Sequence, residues 1–122
     1  PGVTAGVGLC RRAPAGFRFT AKLTRTLTHE VDPQGWPAQA ELYRKGIAPL
    51  VQSGQLMAVL VQLPPFFRRT PDNRRYLARL LDALAGLPLA VEFRHVSWAT
   101  DRVFAALEER RVALVCVDAP DL

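Results

Sequence analysis

Leu56-Met57-Ala58-Val59-Leu60-Val61-Gln62-Leu63-Pro64-Pro65 shows what kind of sheet this chain builds. It is apolar from Leu56 to Val61, turns polar at Gln62 and runs into two prolines. A strand with one face in water alternates apolar with polar residues. A continuous apolar run suits a strand covered on both faces, as in a parallel sheet. Periodicity alone does not separate such a run from a buried helix, but its length and its β-branched content argue for a strand. Residues 112–118, Val112-Ala113-Leu114-Val115-Cys116-Val117-Asp118, repeat the pattern and also end on a polar side chain. Residues 17–23 and 89–94 read as two further strands.

Three helical segments lie between these runs. Trp36-Pro37 opens the first, with Pro37 suited to the first helical turn. It is expected to reach about Val51, where Ser53-Gly54 stops it. Thr70-Pro71-Asp72-Asn73 opens the second. Leu77, Leu80, Leu81 and Leu84 follow at helical spacing, and Gly86 ends it. Thr100 or Asp101 caps the third, with Val103, Phe104 and Leu107 as its apolar face.

The order is therefore β-α-β-α-β-α-β, which indicates βαβ units and a parallel sheet. An open doubly wound sheet and an arc of a closed barrel both fit. No GxGxxG follows a strand and no GxxxxGK[ST] occurs, which weighs against the common nucleotide-binding open sheets. A full barrel takes about 250 residues, and this chain has 122. The expectation is an α/β fold: a partial TIM (β/α)8 barrel of about four parallel strands. It is read as a single domain over residues 1–122, a central fragment whose missing barrel strands are needed to close the fold. Standing alone it would expose two sheet edges, which natural proteins avoid.

Bulk properties narrow the setting. Hydrophobic residues make up 49% of the chain, ordinary for a domain with a real core. No stretch approaches the roughly 18 apolar residues of a membrane-spanning helix. The small, apolar residues 1–9 precede Arg11-Arg12, the reverse of a secretory signal. The two cysteines, Cys10 and Cys116, form no CxxC pair, so zinc and disulfide-scaffold readings lack support. A reducing, cytoplasmic location fits this usage. Net charge is +5, and 14 of the 16 basic residues are arginine. The pairs Arg11-Arg12, Arg68-Arg69, Arg74-Arg75 and Arg110-Arg111 are spread along the chain. A nucleic-acid surface would gather them on one face with aromatics between, and a solvated surface would not.

Each strand turns polar at its C-terminal end, the end where parallel barrels build their active sites. Side chains two apart share a side of a strand. Lys22, Gln62, Glu92, Arg94 and Asp118 would therefore meet at one site if their sides face the barrel axis. Phe19, Ala21, Val61, Val91, Phe93 and Val117 would then pack against the outer helices. Buried ionisable groups are costly unless paired, so several at equivalent strand ends point to function. An interior salt bridge joining Glu92 and Arg94 with Lys22 and Asp118 is the structural alternative. Thr28 and His29 lie in the first βα loop, and His95 follows the third strand. Trp98 would stack on a sugar or base, or merely cover its loop, and Ser97-Trp98 would otherwise serve as a cap before the third helix.

Five pieces of the chain, in order, resemble one known family. They are Gly16-Phe17-Arg18-Phe19-Thr20-Ala21-Lys22, Leu27-Thr28-His29, Gln62-Leu63-Pro64-Pro65, Val91-Glu92-Phe93-Arg94-His95-Val96-Ser97-Trp98 and Val117-Asp118-Ala119-Pro120. The family is the YecE-like family, also called domain of unknown function 72. The resemblance runs from about Ala13 to Pro120. It implies a TIM-type barrel about twice as long as this chain, with strands ahead of Phe17 and beyond Asp118. It also implies a loose kinship with sugar isomerases, which is a likeness of fold and not of chemistry.

Two functions follow as expectations. One is an enzyme with isomerase- or lyase-like acid/base chemistry on a small-molecule substrate, polar or anionic, such as a sugar or sugar phosphate. Glu92 or His95 would be the acid/base, and Lys22 with Arg94 would hold an anion or polarise a carbonyl. Gln62, Thr28, His29, Trp98 and Asp118 would bind substrate. No cofactor is assigned. Glu92, His95 and Asp118 are metal-compatible donors, but their spacing does not support a divalent-metal site. The other is a non-catalytic binding protein for nucleic acid or another anionic ligand. Neither reading involves a membrane.

Overall fold

The computed structural model describes residues 17–115. Arg11, Arg12, Cys10, Cys116, Val117 and Asp118 lie outside the described residues, and so does the end of the fourth expected strand. The elements in order are β1 (Phe19–Lys22), α1 (Arg25–Thr28), α2 (Trp36–Gln52), β2 (Leu56–Gln62), α3 (Pro71–Ala83), β3 (Leu89–Glu92), a 3-10 turn (Val96–Trp98), α4 (Asp101–Glu109) and β4 (Ala113–Val115). The strands form one sheet in the order β1-β2-β3-β4, and each neighbouring pair is parallel.

Sequential order separates the two architectures left open by the sequence. A doubly wound sheet reverses its order at a switch point and is covered by helices on both faces. Here the order never reverses, and one face carries the core. Val59, Val61, Leu89 and Val91 join Ile47 and Leu50 of α2, Leu80 of α3, and Leu107 of α4 in one buried cluster. Phe19, Ala21 and Phe93 pack against it, as the alternation predicts. On the other face Thr20 and Lys22 of β1 are exposed. The helices thus cover one face of the four-stranded sheet.

Local chemistry fixes the helix boundaries. Thr70 and Thr100 each accept a hydrogen bond through the side-chain oxygen, from the Asn73 and Val103 backbone N–H groups at 3.2 Å. These are the caps expected at the starts of α3 and α4. The turns back into β2 and β3 use Gly54 at φ +71° and Gly86 at φ +91°. The equivalent turn before β4 uses Arg111 at φ +57°, a conformation that costs a non-glycine residue about 1–2 kcal/mol.

Three departures from the sequence expectation stand out. The ladders stop at Lys22, Gln62 and Glu92, so Leu23, Leu63 and Arg94 already belong to loops. The first βα loop holds a single helical turn, α1, which has no apolar repeat to announce it. Phe104, expected on the buried face of α4, is 42% exposed. Val103 and Leu107 form the buried stripe instead, and Phe104 sits outside the groove that α4 makes with α3. Among the described residues no helix is long and apolar enough to cross a membrane.

Candidate functional site

The sheet register assembles the site. Lys22, Leu60, Ala90 and Ala113 are successive register partners across the four strands. One step further along the same face, Gln62 pairs with Glu92 and Glu92 with Val115. Neighbouring strands lie about 4.8 Å apart, so a side-chain amide on one strand end reaches a carboxylate on the next. Gln62 Nε2 donates to Glu92 Oε2 at 2.8 Å. The same oxygen lies 4.0 Å from Nε of Arg94. Glu92 is only 7% exposed, and a hydrogen bond to a charged group contributes about 1.5–3 kcal/mol. Arg94 stays largely in solvent, where an ion pair adds little.

Lys22 shares this face but stands two strands from Glu92, roughly 10 Å sideways. It forms no ion pair among the described residues, and the Arg94–Glu92 contact is the only part of the expected four-residue salt bridge found there. Its backbone is fixed from the helical layer: the Tyr43 hydroxyl of α2 donates to the Lys22 carbonyl at 3.1 Å. Burial pushes the Tyr43 phenol up to about 12, so it remains a donor.

A second tyrosine holds the first βα loop. The Tyr76 hydroxyl of α3 donates to the Leu27 carbonyl at 2.5 Å, and burial raises its pKa as well. Thr28, buried, places Oγ1 2.7 Å from Nδ1 of His29. Burial lowers the His29 pKa, and the charges of Arg25 and Lys22 lower it further against an opposing pull from Glu30. His29 is therefore neutral near pH 7. Neither tyrosine was singled out from sequence. The only signal is position: Ala40, Tyr43, Ile47 and Leu50 repeat at the spacing of a buried helix face.

The second and third βα loops are stitched together. The Arg69 backbone N–H donates to Ser97 Oγ at 2.8 Å, and Ser97 Oγ lies 2.8 Å from His95 Nδ1. The Ser97 backbone N–H donates to the same Nδ1 at 3.1 Å. An N–H can only donate, so Nδ1 is the acceptor and neutral His95 carries its proton on Nε2. Ser97 is not the cap of the following helix, a place that Thr100 takes, but the link between the two loops.

Trp98 requires a correction. It is 3% exposed, its Nε1 donates to the Phe67 carbonyl at 2.7 Å, and its ring stacks with both Phe67 and Phe93. A buried indole needs a partner for its N–H and aromatic neighbours for its faces, and Trp98 has found both in the core. It offers no platform to a ligand. The exposed aromatic on this end of the sheet is Phe66, 70% exposed and four residues beyond Gln62. It was overlooked because a Pro-Pro-Phe-Phe run does not reveal which ring turns inward.

The structure thus brings Gln62, Glu92 and Arg94 into contact and ties His95 to the neighbouring loop. Thr28 and His29 pair with each other, Lys22 stands apart on the same face, and Asp118 lies outside the described residues. Among the described residues no three His, Cys, Asp or Glu side chains are grouped closely enough to hold a metal ion.

The family described as "Protein of unknown function DUF72" matches residues 6–122. The chain belongs to this family. The YecE-like resemblance named the same family. UPF0759 protein YunF of Bacillus subtilis (strain 168) is 28% identical over 92 residues, covering 72% of this chain and 33% of that protein. A crystal structure of a DUF72 family protein from Thermotoga maritima MSB8 matches with a TM-score of 0.84 at 31% identity, covering 100% of this chain and 47% of that one. A DUF72 family protein from Enterococcus faecalis V583 matches with a TM-score of 0.82 at 26% identity, over 97% of this chain and 46% of that one. The chain spans a third of the curated relative and about half of the solved structures. Its four parallel strands alternating with helices are a partial barrel.

Proposed function

We propose that this DUF72 chain carries part of the active site of an enzyme acting on a small polar or anionic substrate, a sugar or sugar phosphate. The observation that supports it is the Glu92 carboxylate, buried at the C-terminal end of β3 and held by Gln62 from the next strand. Parallel barrels place their catalytic groups at that end, and a carboxylate fixed there by a neutral donor remains an acceptor for a substrate proton. Glu92 is the base in this reading. His95 presents Nε2–H to a carbonyl or hydroxyl oxygen, since its other nitrogen is occupied. Lys22 and Arg94 supply positive charge for an anionic group or a developing oxyanion. Gln62, Thr28 and His29 orient the substrate, with Asp118 completing the set. The cysteine usage supports a cytoplasmic setting.

Saturation-transfer NMR of the intact protein against a panel of sugars and sugar phosphates tests the reading. It expects at least one binder that Glu92→Gln weakens or ceases to turn over. A binder processed equally by Glu92→Gln would overturn the role of Glu92. Tight binding of an oligonucleotide that collapses with added salt would replace the enzyme with a nucleic-acid-binding protein.

A further inference from the structure

The arginines spread along the sequence gather in space at a second place, on the helical side of the sheet. A cavity of about 160 Å³ lies between α3 and α4. Leu77, Phe93, Val103 and Leu107 give it an apolar floor. Arg69, Arg74, Arg102 and Arg110 stand around it. Arg110 is spoken for by Asp82 at 2.5 Å. Arg69, Arg74 and Arg102 form no ion pair among the described residues, and Nε of Arg69 is buried with no hydrogen-bond partner. A buried donor left unmet costs about 1–3 kcal/mol, and native proteins rarely leave one without a reason.

We propose that this groove binds an organic phosphate. The three unpaired arginines cluster at the end where α3 and α4 begin, so two helix N-termini add positive potential. The acids nearby offset little: Asp72 is paired with Arg75, and Asp101 is exposed at the start of α4. One guanidinium fork satisfies one carboxylate, whereas three forks suit a tetrahedral dianion with its several acceptor oxygens. The apolar floor continues between the helices away from these arginines and takes the body of the ligand. A cavity this size holds a small molecule, since a docking helix is about 10 Å across. This site is separate from Glu92, which faces the opposite side of the sheet.

Isothermal titration calorimetry of the intact protein tests it, with phenyl phosphate and inorganic phosphate as probes at an ionic strength of about 0.15 M. Phenyl phosphate is expected to bind more tightly than inorganic phosphate. Arg74→Gln and Arg102→Gln, both at exposed positions, should each weaken it about tenfold, the loss expected of a charge-assisted contact, with the thermal transition unchanged. Glu92→Gln should leave this binding intact. Absence of heat with either probe, affinity unaffected by both arginine variants, or binding lost in Glu92→Gln would overturn the proposal. Equal affinity for the two probes would overturn its organic part.

Discussion

Gln62 and Glu92 are the last residues of neighbouring strands, and the amide of the first donates to the carboxylate of the second across 2.8 Å. The register that pairs their backbones also sets this contact. A one-residue slip of either strand would send one side chain into the helical layer. The same hydrogen bond therefore reports both the correct sheet and an ordered site.

Gln62→Leu keeps the volume and removes the donor. The Glu92 carboxylate then stays largely buried without its strand-end partner. Stability measured by urea denaturation at neutral pH should fall by about 1–3 kcal/mol. No change would mean that Glu92 does not depend on Gln62.

The two aromatics should behave oppositely. Trp98→Ala removes a ring stacked on Phe67 and Phe93 together with the donor to the Phe67 carbonyl. It should cost about 3–5 kcal/mol. Phe66→Ala removes a ring that is mostly in solvent and should stay within about 0.5 kcal/mol. A mild effect of Trp98→Ala would place that ring at the surface after all.

His29 makes stability depend on pH. Its lowered pKa means that the folded chain binds fewer protons than the unfolded chain between the two values, so stability rises with pH across that window. The contribution is full above the ordinary value of 6.5 and is lost as the pH falls below it. From about pH 8 to about pH 5, His29→Gln should lose less stability than the parent protein in parallel denaturation curves. Identical slopes would show that His29 does not set this dependence.

Arg111 occupies a turn for which the two preceding helix-to-strand turns use glycine. Arg111→Gly should relieve the left-handed backbone and raise stability by about 1 kcal/mol. A loss would show that the Arg111 side chain contributes more than its backbone costs.

Much of this fold was legible because it rests on local chemistry. The Leu56–Val61 run, the Thr70 and Thr100 caps and the Gly54 and Gly86 stops are short-range signals, and each appears where the sequence places it. The strand-end row was legible for a similar reason: alternation puts Gln62 and Glu92 on one face, and parallel register brings them level. What escaped depends on tertiary partners. Trp98 and Phe66 differ in burial because of the loops around them, and no periodicity separates them. Tyr43 and Tyr76 act through hydroxyls that reach backbone carbonyls 21 and 49 residues away. The arginine cluster exists only once α3 and α4 lie side by side.

The proposed function depends on Glu92 as the anchor of a ligand site at the strand ends. Native mass spectrometry of the intact protein, purified without chelator and compared with Glu92→Gln, is the decisive experiment. A small bound mass is expected on the parent protein and should be missing from the variant. Identical spectra for the two proteins would rule out Glu92 as the anchor.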